Sequence, residues 1–305
     1  MSQATATIDR RDNIDTAAVA LLLLLTFSWG LNGVAGKIAN TGYNPIFLTV
    51  ARSAIAAVLV FAWCRLRGIA LFERDGTLWP GILAGLLFGG EFALIFIGLD
   101  FTSVARSALM VNTMPFWVLI GAHFLLGERM SIVKFVGLML AFAGVVVVFS
   151  DGLSLPGPAA IKGDIMSLGA GVLWAATIIV IKATKLSRAS AEKMLLYQLV
   201  VSAIFVLPLI PLAGPVLRDV SGLATGALLF QAIYVVAFTY ILWFWMMRRY
   251  PAAGLSSFAF LTPVFGVLLG GLLLAEPLTA KLFLALGLIA VGLIIVNRPA
   301  RSKER

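Results

Sequence analysis

Thr113–Arg129, TMPFWVLIGAHFLLGER, and Leu261–Pro277, LTPVFGVLLGGLLLAEP, lie at an offset of 148 residues and read as one pattern written twice. Pro115 falls on Pro263 and Glu128 on Glu276. Working outward, the same offset holds without a gap for 91–148 against 239–296, setting Phe96 on Phe244 and Gly144 on Gly292. At an offset of 145, Trp29 falls on Trp174 and Lys37 on Lys182. A shared apolar bias does not align Pro, Glu, Trp and Lys together, so the chain reads as a duplication.

Hydrophobic residues make up 61% of the 305 residues and charged residues 12%, against the roughly 25% charge of a soluble domain. So few charges cannot cover the surface of a water-soluble fold of this length. A bilayer core of about 30 Å needs roughly 20 apolar residues per helix. Ten runs fit, at about 16–38, 45–65, 78–99, 104–126, 131–150, 162–183, 192–212, 222–247, 252–274 and 278–297. The first run lacks a small-residue cleavage site and reads as a retained helix rather than a signal peptide.

The net charge of +9 would suggest nucleic acid in a soluble chain. Here cytoplasmic loops account for it, and no nucleic-acid partner is expected. With the N-terminus inside, the cytoplasmic connections collect Arg65, Arg67, Arg129, Lys185, Arg248, Arg249 and many others, while the outer ones hold Lys37, Arg106, Lys162, Arg218 and Lys281. The expected fold is an all-α integral membrane protein of ten spans with both termini cytoplasmic. Five helices per half make the second repeat inverted, as in many secondary transporters. The division is a cytoplasmic tail at 1–15, a first repeat at 16–150, a periplasmic connection at 151–160, a second repeat at 161–297 and a basic tail at 298–305.

One cysteine, Cys64, and one histidine, His123, exclude an intramolecular disulfide, a Cys cluster and a multi-His metal site. No nucleophile–base pair, catalytic acid pair or phosphate-cradling loop is present. The chain therefore does not read as an enzyme, and neither cofactor nor metal is expected. A receptor or assembly protein does not need an inverted duplication, whereas a carrier does.

The motifs Pro115…Gly127-Glu128 and Pro263…Ala275-Glu276, with the openings Ser28-Trp29-Gly30 and Leu173-Trp174-Ala175-Ala176, resemble the drug/metabolite transporter superfamily with its two EamA-type repeats. The chain looks most like the aromatic and neutral amino-acid exporter group, through Trp29, Glu91 after Gly89-Gly90, and Trp174. The resemblance implies a basket of helices 1, 3, 4, 6, 8 and 9 around a central cavity, with helices 5 and 10 at the periphery.

Candidate substrate-binding residues are Trp29, Asn32, Glu91, Asn112, Trp174, Tyr234, Phe238, Tyr240, Ser256, Ser257 and Phe260. A carboxylate in mid-helix must face a cavity or a partner, so Glu91 reads either as a receptor for an ammonium group or proton, or as the ion-pair partner of Arg52. Its match in the second half is Thr239. Tryptophans far inside helices are either cavity wall or core. His123, deep in the fourth helix, is a second coupling candidate or a helix–helix hydrogen-bonding residue.

Pro115 and Pro263 are paired bends or hinges, and Gly81, Gly85, Gly89, Gly266 and Gly270 form close-packing or sliding faces. Glu128 and Glu276 suit the starts of helices 5 and 10, Lys37 and Lys182 the ends of helices 1 and 6. Arg106 and Asp100 can pair at an outer mouth. The expected function is export of aromatic and other neutral amino acids across the inner membrane by alternating access; the alternative is a carrier of a phosphorylated or nucleotide sugar. Small solute and membrane lipid are the expected partners, and a monomer suffices.

Overall fold

A computed structural model of the chain describes residues 11, 13–99, 101–102, 104–150, 157–274 and 280–298. Among these the protein is all-helical, apart from one isolated bridge between Tyr43 and Leu217. Nine helical stretches are long and apolar enough to cross a membrane. They are Thr16–Gly42, Pro45–Leu66, Leu78–Ile95, Arg106–Leu125, Ile132–Phe149, Ala160–Ala183, Ala191–Leu212, Gly222–Arg249 and Ala252–Leu273. The last apolar helix, Lys281–Val296, has 16 residues, a rise of about 24 Å, and residues 275–279, just before its N-cap Ala280, lie outside the described chain. The expected ends of several helices move: the first continues to Gly42 and the sixth begins at Pro158.

Elements are labelled in chain order: α1 (Thr16–Gly42), α2 (Pro45–Leu66), α3 (Leu78–Leu99), α4 (Val104–Val111), α5 (Met114–Leu125), α6 (Ile132–Phe149) and α7 (Pro158–Ala183). Then follow α8 (Ala191–Val206), α9 (Gly222–Phe230), α10 (Tyr240–Arg249), α11 (Ala252–Ser257), α12 (Leu261–Leu274) and α13 (Lys281–Val296). Local capping explains many starts. Asp15, Asn44, Ser131, Ser190 and Ser221 each accept a hydrogen bond from the first turn that follows, meeting donors that helix geometry leaves open.

Each proline interrupts its span. Pro115 has no N–H to give the Val111 carbonyl and its ring crowds that group; the fourth span accordingly breaks between α4 and α5, at Asn112 and Thr113. Pro263 stands four residues after Ala259, and there the ninth span tightens to a 3-10 turn over Phe258–Phe260. In the eighth span, Gln231–Thr239 is a π-helix joining α9 to α10.

Contacts between the two segments recur as matched pairs. α3 packs on α7 and α1 on α9; α7 packs on α4 and α5, and α1 on α12; α2 packs on α8, and α6 on α13. α6 and α13 meet through glycine, since a Cβ at Gly292 would stand 2.6 Å from the Gly137 carbonyl. Of the proposed sliding faces, Gly81 and Gly85 abut Tyr197 and Val201 of α8, and Gly89 abuts Ser202 and Phe205. Gly266 is looser, with only the Gly30 carbonyl within 4 Å of a built Cβ, at 3.9 Å.

Polar ties sort into two ends of the bundle. At one end Asn44 is bonded to Val216, Ile210 and Gly214, and Asp164 takes Arg106 and Thr102. Arg106 pairs with Asp164, while Asp100, the partner expected for it, lies outside the described residues. At the other end Lys193 donates to Asp75 at 2.8 Å, and the Thr77 hydroxyl donates to the same carboxylate at 2.6 Å.

Glu128 and Lys182 also sit at this second end, and both act on helices other than their own. α6 is capped by Ser131, so Glu128 does not serve its start. Its carboxylate instead accepts from the Ala252 and Ala253 amides at 2.7 and 3.3 Å, where α11 begins. Lys182 does not snorkel outward; its ammonium donates to the Met247 and Tyr250 carbonyls at 2.8 and 2.6 Å, where α10 ends. A carboxylate on a helix N-terminus and an ammonium on a C-terminus both suit the helix dipole. The junction between the eighth and ninth spans is thereby clamped from both sides. Glu276 lies outside the described residues, as does the side chain of Lys37.

Candidate functional site: a central aromatic cavity

A cavity of about 210 Å³ lies at the centre of the bundle, lined from the first, third, fourth, sixth, seventh, eighth and ninth spans. Among the described lining residues none comes from α6 or α13. Its wall is aromatic: Trp29, Phe88, Phe92, Trp174, Tyr240, Trp243 and Phe244. Helical spacing builds that wall, since Phe88, Glu91, Phe92 and Ile95 share one face of α3, and Tyr240, Trp243, Phe244 and Met247 share one face of α10. Edge contacts lock the rings. Trp29 meets Trp243 at 5.3 Å and Tyr240 at 6.1 Å, and Phe88 meets Phe92 at 5.0 Å.

Among the described residues, four polar side-chain atoms on this wall are buried without a hydrogen-bond partner: Asn32 Oδ1, Glu91 Oε2, Gln198 Nε2 and Thr262 Oγ1. Leaving such an atom unpaired costs about 1–3 kcal/mol each, more for a charged group. Such groups persist where water or a ligand completes them. The set is chemically mixed: Asn32 and Glu91 present acceptors, Gln198 a donor, and Thr262 either. No Lys or Arg stands among the described lining residues.

Glu91 and Arg52 are both buried, yet among the described residues they form no ion pair. Arg52 lies over the Phe92 ring at 4.6 Å, a cation–π contact. A direct ion pair with Arg52, the structural alternative for Glu91, is therefore not seen among the described residues.

The backbone around the cavity is irregular where lining residues gather. Val111 lies at the α4–α5 break, and Gly171 lets that backbone come close, since a Cβ there would meet the Val111 carbonyl at 2.9 Å. The π-helix is stitched to α1: Gln231 donates to the Asn32 carbonyl at 3.4 Å, Tyr234 pairs with Ser28 at 2.9 Å, and Trp29 donates to Thr239 at 3.0 Å. π turns often mark functional positions in helices.

Of the sequence candidates, Trp29, Asn32, Glu91, Trp174 and Tyr240 converge on the cavity. The others stand elsewhere. Asn112 bonds the Ala108 carbonyl at the α4 end. Tyr234 is occupied by Ser28 and stacks on Phe230 and Phe238, while Phe238 itself is 57% exposed on the outer surface. Ser256 and Ser257 are fully buried and donate back to the Ala253 and Gly254 carbonyls. Phe260 is core, against Phe116 and Phe142. His123 is not deep: it is exposed in the last turn of α5, where Nδ1 accepts from the Met130 amide at 3.4 Å.

The sequence reading missed Phe88, Phe92, Thr177, Gln198, Trp243, Phe244, Met247 and Thr262. Two signals were available. Phe88 and Ile95 lie one turn from Glu91 and Phe92 directly follows it, and Gln198 is a lone amide in an apolar span, which marks an inward-facing position. Gln198 also brings the seventh span into the wall, beyond the six helices that the resemblance implied.

Comparison with known proteins places this geometry. The EamA-like transporter family matches residues 16–150 and again 161–298. The chain is 28% identical over 298 residues to the uncharacterized transporter YvbV of Bacillus subtilis, covering 95% of this chain and 94% of that protein. It is 30% identical over 284 residues to an uncharacterized transporter of Archaeoglobus fulgidus, covering 92% and 98%. A probable amino-acid metabolite efflux pump of Escherichia coli is 27% identical over 296 residues, covering 90% and 93%. One solved protein crystal structure superposes with a TM-score of 0.82 at 20% identity, over 95% of this chain and 99% of that one, which establishes the shared fold.

Proposed function

The chain belongs to the EamA-like transporter family, and we propose that it exports aromatic and other neutral amino acids across the inner membrane by alternating access. It is a multi-pass membrane transporter, and the substrate is the step beyond that. The observation that carries this reading is the central aromatic cavity with four unpartnered polar atoms. A zwitterion supplies the missing partners. Its ammonium meets Glu91 and Asn32, its carboxylate meets Gln198 and Thr262, and its side chain lies on the tryptophan and phenylalanine wall.

Size and charge support the same class. Ligand sites generally run about 300–1,000 Å³, so a cavity of about 210 Å³ suits a solute as small as an amino acid. A nucleotide sugar is several times larger. A sugar phosphate calls for Arg or Lys on the phosphate, and the described lining offers neither. The name of the Escherichia coli relative points the same way.

Lys281–Val296 serves as the tenth span in this account, and the two halves are inverted. The matched helix contacts and the paired distortions before Pro115 and Pro263 support that arrangement. The Arg- and Lys-rich end that carries Lys182, Lys193, Arg248 and Arg249 faces the cytoplasm. Uptake of labelled Trp, Phe, Leu and Thr into proteoliposomes, beside a sugar phosphate, tests the substrate. Amino-acid flux that saturates supports the proposal; sugar-phosphate exchange without amino-acid flux overturns it.

A further inference from the structure

A second cavity, of about 510 Å³, opens at the Arg- and Lys-rich end beside the junction of α10 and α11. Five cations line it: Arg11, Lys134, Lys182, Arg248 and Arg249. Three have visible occupations. Arg11 pairs with Asp15, Lys182 holds the α10 carbonyls, and Arg249 lies over the Trp245 ring at 4.1 Å.

Arg248 and Lys134 are different. The Arg248 Nε is buried with no hydrogen-bond partner. The Lys134 ammonium, half-buried at the first turn of α6, makes no hydrogen bond or ion pair among the described residues. The acids nearby are committed or remote. Glu128, the one acid among the described lining residues, is bonded to the Ala252 and Ala253 amides. Asp15 takes Arg11 and the Tyr250 hydroxyl. Glu192 offsets part of the Arg248 charge without forming an ion pair with it among the described residues.

Cations crowded round one cavity repel unless an anion sits among them, and a buried guanidinium N–H aimed at no acceptor lacks a partner. We infer that this cavity binds a phosphate-bearing anion, held by Arg248 and Lys134 with Arg249 beside them. Arg248 supplies a fork of donors and Lys134 a point charge, the pairing that phosphate oxygens favour. The site joins α6 of the first repeat to α10 of the second, so its ligand stabilises the conformation described here over any in which those helices part. It adjoins the central cavity at Met247 but has its own cationic lining, and the inference stands whatever solute the central cavity carries.

Phosphate of this kind comes either free from solution or on a lipid headgroup at the membrane surface, and one experiment separates them. The full-length protein is placed in nanodiscs of phosphatidylcholine, and its unfolding midpoint is followed while inorganic phosphate replaces chloride at constant ionic strength. A parallel series replaces part of the phosphatidylcholine with phosphatidylglycerol. A rise with phosphate identifies a free-anion site, and a rise with phosphatidylglycerol alone identifies a headgroup site. In either case Lys134→Gln and Arg248→Gln each weaken the response by about tenfold in affinity, and Arg248→Lys keeps part of it. The inference is overturned if neither probe raises the midpoint beyond its control, or if the Lys134→Gln protein, whose side chain supports no other bond, responds as the wild type does.

Discussion

The Trp29 indole donates to the Thr239 hydroxyl at 3.0 Å, joining residues 210 positions apart. That hydroxyl in turn donates to the Val235 carbonyl at 2.6 Å. In the sequence repeat Trp29 matches Trp174, and Thr239 matches Glu91. Trp174 and Glu91 both line the cavity, yet among the described residues they make no hydrogen bond to each other. One couple is closed and its counterpart is open, and the open one carries the carboxylate.

Trp29→Phe removes the indole donor while keeping an aromatic ring in the wall. A lost hydrogen bond of this kind lowers stability by about 0.5–1.5 kcal/mol. Trp174→Phe breaks no such bond and leaves stability close to wild type. Unfolding of both variants in one detergent checks the contrast, and equal losses would contradict the assignment of closed and open couples.

Glu128→Ala deprives the Ala252 and Ala253 amides of their acceptor, and Lys182→Met frees the carbonyls that close α10. Each substitution is expected to cost about 1–3 kcal/mol. Because both residues hold the same short junction, the double variant loses less than the two single losses added. A double-mutant cycle on unfolding free energy reads this directly, and strict additivity would show that the two ties act independently.

Gly85→Ala places a Cβ 2.5 Å from the Val201 Cβ and 2.8 Å from the Tyr197 carbonyl. Backbone and a branched carbon cannot both yield, so a loss of about 1–3 kcal/mol is expected. Gly266→Ala meets only the Gly30 carbonyl at 3.9 Å, and is expected to be neutral or stabilising through helix propensity. Thermal unfolding of the two variants side by side tests whether these glycines differ as the packing says.

Asp75, in the connection between α2 and α3, has its carboxyl held down at about 2. Burial alone would raise it, but hydrogen bonds from Lys193 and Thr77, with the Lys193 charge, outweigh burial. A folded-state value below the unfolded one means stability that is present above the unfolded value, 3.8, and is lost as pH falls toward 2. The stability difference between wild type and Asp75→Asn is therefore constant near neutral pH and shrinks below about pH 4. A difference that grows on acidification would reverse the sign and discard the pairing.

Much of the fold was legible because membrane spans announce themselves by length and polarity, and because Pro115 and Pro263 each remove a helical hydrogen bond and distort the turn before them. The site was legible only where a single residue type is costly in its place: Glu91, Asn32, and tryptophans remote from the span ends. Rotation about a helix axis is what the sequence leaves open. Tyr234 and Phe238 lie one turn apart, yet one is spent on Ser28 and the other faces outward. Ser256 and Ser257 look like cavity hydroxyls until their carbonyl partners one turn back are seen. Glu128 and Lys182 were assigned to the nearest helix ends in sequence, whereas the ends they serve are reached only through the fold. His123 carried the wrong depth: it stands two residues before the end of α5, on an exposed face.

In the proposed export function, Glu91 receives the substrate ammonium in the central cavity. Exchange of labelled leucine across proteoliposomes, measured for wild type and Glu91→Gln in the same lipid, tests it most directly. The expected result is saturable exchange by the wild type, with KM raised about tenfold or more in Glu91→Gln, as for a charged hydrogen bond lost in a buried site. Leucine exchange undiminished in Glu91→Gln, with unchanged KM, would contradict it.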